Sequence, residues 1–182
     1  VHGSRGLGDV YKRQPPSKGA HVKEHSDVPF FSGRPMEVGS LVDGEDVLRE
    51  LPKGARIVSL EEARKNLPKV TRMLAELQAM SDEAHDLTEE LEVLLESLEA
   101  ESEHVVEVAE QLAQLVTHWQ NVTSQIEDTG TRIACLEPGR LEWYGVVDQH
   151  LALYSWRFGE EDIEWYHPID STFLARKPLI EA

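Results

Sequence analysis

The chain of 182 residues has one cysteine. That excludes an intrachain disulfide framework and a cysteine-built zinc cluster, and the expected setting is the reducing cytoplasm. No run of about 18 apolar residues occurs, so no membrane-spanning helix is expected. Basic residues are scarce, with 18 Lys+Arg against 34 Asp+Glu for a net charge of −16. Nucleic acid and anionic lipid surfaces are polyanions and therefore poor partners. No serine or cysteine stands in a marked nucleophile motif. What is present is a hydrophobic fraction of 40 %, enough for a packed core. The length suits one domain, or one domain with an appendage.

Ser4–Gln14 reads SRGLGDVYKRQ. It resembles the in-frame translation of a transposase-type sequencing adapter and is set aside from the fold argument. Gly3, Gly6 and Gly8 do not make a phosphate loop, because no strand precedes them and no helix follows. Pro15–Pro35 has no helical or strand period. His21 and His25 are four apart there, but without acidic ligands at matching spacing they read as part of a tail. Met36 is a plausible native start. Over residues 36–182 the count is 12 basic against 31 acidic, a charge of −19. The expected divisions are 1–35 artefact and arm, 36–58 lead-in, 59–130 helical hairpin, and 131–182 sheet and tail.

Ser59-Leu60-Glu61-Glu62 is a capping-box pattern that starts a helix. Pro68 is expected to interrupt it, with Asn66 capping a second helix. From there Leu67, Val70, Leu74, Leu77, then Ala84, Leu87, Leu91, Leu94 and Leu98 follow three-four spacing, with Ser81 and Thr88 the weak places. A second run of Val105, Val108, Leu112, Leu115, Trp119, Val122 and Ile126 continues it. Such seams indicate long, coiled-coil-like helices. No Gly or Pro lies between Pro68 and Gly130. Two arrangements fit: an antiparallel hairpin turning near Glu99–Ser102, or one helix of about ninety ångströms that dimerises. The hairpin is favoured because it buries the stripe within one chain. Gly130 then ends the helical region.

Beyond Gly130 strand formers dominate. Expected strands are Arg132–Leu136, Leu141–Val147, Leu151–Phe158 and Ile163–His167, and the tail reads as irregular. The fold class is α+β, a helical hairpin followed by a four-stranded antiparallel meander. A last turn centred between Glu160 and Glu161 sets Trp156 against Trp165, Arg157 against Glu164, and Tyr154 against His167. That register serves sheet stability. It also outlines a shallow candidate ligand site from Arg157, Glu164, His167, Asp170 and Arg176, since arginine suits carboxylate or phosphate and histidine can move protons. Cys135 reads as a buried strand thiol. Glu101-x-x-His104 and Asp82-x-x-His85 have the spacing of carboxylate-bridged metal bundles, but His104 falls beside the seam rather than on it and Glu-rich helices produce the spacing by chance. His118 reads as a surface or partly buried histidine beside Trp119. No cofactor and no metal are expected.

RIVSLEEARKNLPKV (Arg56–Val70), TGTRIACLEPGRLEWYG (Thr129–Gly145) and YSWRFGEEDIEWYHPIDSTFLARKPL (Tyr154–Leu179) resemble a prokaryotic family, the domain of unknown function 2203. The matching positions are Trp156, Arg157, Gly159, Glu160, Trp165, His167, Asp170, Arg176 and Pro178. Gln149 stands where members often have glycine, and Thr172 and Leu174-Ala175 depart from the family's glycines. The resemblance implies the domain limits and a prokaryotic, cytoplasmic setting, and supplies no substrate. The expected function is a non-enzymatic interaction or scaffolding domain that self-associates as a dimer, or binds a partner protein, through its acidic helices. The alternative is a small-ligand or enzymatic site on the meander.

Overall fold

The computed structural model describes residues 33–37 and 44–180, apart from the side chains of residues 45–47. These belong to one compact unit, residues 31–182. The adapter-like stretch, His21 and His25 lie outside the described residues. In chain order the elements are β1 (Pro35–Met36), α1 (Gly44–Glu50), α2 (Leu60–Leu95), α3 (Glu103–Asp128), β2 (Thr131–Cys135), β3 (Arg140–Val147), β4 (His150–Arg157), β5 (Trp165–Pro168) and β6 (Lys177–Pro178). A 3₁₀ turn at Phe173–Ala175 precedes β6.

The helices form the hairpin. Ser59 caps α2 by accepting the Glu62 N–H at 3.1 Å. The reciprocal half of the capping box is absent, because Glu62 accepts from Arg56 at 2.8 Å instead. Pro68 does not interrupt α2, which is one helix of 36 residues with Asn66 inside it. The reason is tertiary. Leu60, Ala63 and Leu67 before the proline, and Val70 and Leu74 after it, form one buried stripe against the sheet. Burying five such side chains at up to about 2 kcal/mol each outweighs the ~3 kcal/mol proline penalty. Pro68 is exposed, so its ring displaces no packing. The chain turns over Glu96–Ser102, and Glu76 meets His118 at 2.7 Å while Glu90 meets His104 at 3.5 Å, an antiparallel pairing. Thr129 closes α3, and Gly130 follows at φ +79 with its N–H on the Glu127 carbonyl.

The sheet is antiparallel, in the order β1-β3-β4-β5-β6, with β2 also on β3. The four expected strands are present, and β1 and β6 bring the total to six rather than four. Two-residue edge strands carry no alternation, which is why the tail and lead-in gave no strand pattern. One face of the sheet packs on α2 through Leu141, Trp143, Val147, Tyr154, Trp156, Ile163 and Tyr166. A second apolar cluster joins Met73, Leu77 and Met80 of α2 to Val122 and Ile126 of α3. A hydrogen-bond chain anchors α3 to the sheet. Trp143 Nε1 donates to Thr131 Oγ1 at 2.7 Å, Thr131 to Thr129 at 2.6 Å, and Thr129 to the Ile126 carbonyl at 2.6 Å.

The last hairpin is one residue out of the expected register. Tyr154 pairs with Tyr166, Leu153 with His167, and Ser155 with Trp165. A one-residue slip sends alternate side chains to the other face. Trp156 therefore faces the helices while Trp165 faces away, and Arg157 and Glu164 do not pair. The cause is Ile163, fully buried in the core. Drawing it inward lengthens the turn and delays β5 to Trp165. Cys135 ends β2 half-buried rather than buried, and its thiol donates to the Glu137 carbonyl at 2.7 Å.

Candidate functional site

The face of the sheet turned away from α2 and α3 carries the polar chemistry. Strand alternation places Arg132 (β2), Arg140 and Glu142 (β3), Leu153 (β4) and His167 (β5) on that side. The segment after β5 folds back over them through a turn in which Ser171 donates both its N–H and its hydroxyl to the Pro168 carbonyl. Between strands and segment lies an open cleft of about 460 Å³, lined by Arg132, Arg140, Glu142 and His167, with Leu153, Ile169, Ser171, Thr172 and Phe173.

At its floor, Glu142 and His167 are 6 % and 3 % exposed, and His167 Nε2 lies 3.4 Å from Glu142 Oε1. The other ring nitrogen, Nδ1, is 2.9 Å from the Pro168 carbonyl, which can only accept. Nδ1 must therefore carry a proton. A neutral ring would then present a lone pair to the carboxylate, so the geometry suits the imidazolium. Burial works to lower the His167 pKa. The hydrogen bond to Glu142, the Pro168 carbonyl and the Glu142 charge work against burial and leave it raised above its ordinary 6.5. Arg132, half-exposed, stands 3.6 Å from the second Glu142 oxygen.

Phe173 is held between two guanidiniums, Arg140 at 4.5 Å and Arg176 at 4.0 Å from the ring centroid. Arg176 also lies 5.4 Å from the Trp165 ring, and Glu160 accepts from it at 2.8 and 3.2 Å. Arg140 has no carboxylate partner among the described residues. Arg132, Arg140 and, when protonated, His167 set positive charge against Glu142. The cleft is thus a positive island in an acidic chain.

The five residues read from the sequence are dispersed. His167 forms the floor of the cleft, and Arg176 supports it from behind through Phe173. Asp170 is exposed in the turn and does not line the cleft. Arg157 is exposed at the end of β4, opposite Arg140. Glu164 lies in a separate depression with Arg64, Asp162 and Trp165. Sequence reasoning missed Arg132, Arg140 and Glu142. The available signal was two charges at alternate positions in a strand otherwise rich in core residues, Arg140-Leu141-Glu142-Trp143. Among the described residues no group of three or more His, Cys, Asp or Glu side chains could hold a metal ion. His104 contacts Glu90 and Glu107, and His85 contacts Glu89, all at the hairpin surface.

The architecture defines an α+β domain in which a helical hairpin backs a curled antiparallel sheet with a guanidinium-lined cleft on its outer face. The family model described as "Uncharacterized conserved protein (DUF2203)" matches residues 56–179, and the chain belongs to that family. No curated protein and no solved structure matches the chain. Among the described residues no helix is long and apolar enough to cross a membrane.

Proposed function

We propose that the domain binds a small ligand bearing a carboxylate or phosphate group in the cleft beneath Phe173. The observation that carries this reading is the pair of guanidiniums, Arg132 and Arg140, flanking the buried Glu142–His167 pair. Guanidinium forks match carboxylate and phosphate oxygens bidentately. An imidazolium at the floor adds a positive charge, and Glu142 and the Pro168 carbonyl hold it in place. Thr172 lies at the rim. The cleft is open and polar, which suits reversible binding of a soluble anion.

Calorimetric titration with pyrophosphate and with citrate tests this. Saturable binding is expected, and a hydrogen bond to a charged group contributes about 1.5–3 kcal/mol. Arg132→Ala and Arg140→Ala should then each weaken binding by roughly ten- to a hundredfold at unchanged circular dichroism. Arg132→Lys and Arg140→Lys keep the charge but not the fork, and should fall between wild type and alanine. Binding that is absent for both probes, or insensitive to all four substitutions, contradicts the reading.

A further inference from the structure

The distal part of the hairpin takes no part in the cleft or in the sheet's core. Between Ser81 and Gln114, only Leu87, Val105 and Val108 are buried. The seam fixes the faces of this arm. Glu76 and Glu90 of α2 meet His118 and His104 of α3 on one side of it. On the opposite side the heptad register brings Ser81 of α2 beside Ala113 of α3 and Thr88 beside Val106, with Ala109 and Val116 on the same face of α3 and Leu95 nearer the hairpin turn. That side holds a three-four apolar stripe of its own. Leu95 is 49 % exposed, Val106 41 % and Val116 49 %, and Ala109 and Ala113 are exposed. Thr88 turns its hydroxyl onto the Ala84 carbonyl at 2.6 Å, so it offers no free donor there. Small residues between two larger ones leave room for a third helix in the groove.

The rims of this groove decide the occupant. Glu92 borders it on one helix, and Glu103 and Glu110 on the other. No lysine or arginine occurs anywhere between Arg72 and Arg132. A second copy laid on the groove sets acidic rim against acidic rim, with no basic residue on the arm to relieve it. A helix with one apolar stripe flanked by lysine and arginine satisfies both features at once. We propose that the arm docks a basic amphipathic helix of another protein in the groove between Leu95 and Val106–Val116.

Fluorescence anisotropy on the full chain tests the proposal. The probe is a labelled peptide of about three heptads with leucine at a and d and lysine at e and g. The control is a scrambled peptide of the same composition. The amphipathic peptide should bind at least about tenfold more tightly than the scramble, and the affinity should fall with salt. The double substitution Val106→Ser and Val116→Ser leaves the charge unchanged and, at exposed positions, the fold intact. It should weaken the amphipathic peptide about tenfold and the scramble hardly at all. Equal affinity for the two peptides shows charge attraction alone and overturns the proposal. So does an amphipathic peptide that ignores the double substitution. A chain that sediments as a dimer, and becomes monomeric on the double substitution, assigns the groove to a second copy and overturns it as well.

Discussion

Glu142→Gln separates the charge of the floor pair from its shape. Both members are buried, so removing the carboxylate charge strands an imidazolium in a low-dielectric site. Breaking a buried pair in this way costs about 3–5 kcal/mol. The sign of the pH dependence follows from the raised His167 pKa. Below the unfolded value, ordinarily 6.5, both states hold the proton and the pair's contribution is fully present. As pH rises the unfolded state releases its proton first, and the contribution is lost by the time pH passes the folded value. Above that value His167 is neutral with or without Glu142. The penalty for Glu142→Gln then shrinks to about 1 kcal/mol, an ordinary hydrogen bond and a loose contact to Arg132. Urea denaturation of both proteins at pH 5.5 and pH 9 measures this, with the His167 ring followed by NMR. In the variant the His167 pKa should fall below its wild-type value, because burial is then opposed by the Pro168 carbonyl without the Glu142 charge. A penalty equal at both pH values, or a wild-type His167 that titrates at or below 6.5, refutes the reasoning.

Three further outcomes follow from the fold. Gln149 sits at φ +66 in the two-residue turn between β3 and β4, so Gln149→Gly should raise stability by about 1 kcal/mol in urea denaturation. The Tyr154 ring lies against Gly145 where a Cβ would stand, so Gly145→Ala should lower stability by about 1–3 kcal/mol and shift the near-ultraviolet circular dichroism of the core tyrosines. Thr131→Val leaves the buried Trp143 N–H without its acceptor, which should lower stability by about 1–3 kcal/mol and change Trp143 fluorescence.

The helices were legible because Leu and Val at three-four spacing state a helical face directly, and Ser59 and Gly130 mark its ends. Whether Pro68 breaks that face was not legible. The stripe on both sides of it is held by the sheet, and the sheet contacts are not local. The hairpin register turned on a single residue, Ile163, whose burial pulls the turn one position along. The two edge strands are too short for any period. His167 stood out through the family resemblance. Glu142, Arg132 and Arg140 did not, because these residues of β2 and β3 meet His167 of β5 only once β2, β3, β4 and β5 are set side by side. The same slip that separated Arg157 from Glu164 placed Leu153 beside His167, and so turned His167 toward Glu142.

The central claim is that the cleft holds an oxyanion between Arg132, Arg140 and His167. NMR titration of the full chain with pyrophosphate, following the Nε signals of both arginines and the His167 ring, tests it most directly. The account predicts saturable shifts of all three at one common affinity, abolished in the Arg132→Ala, Arg140→Ala double variant. Unmoved signals at these three residues, with shifts only elsewhere on the chain, contradict it.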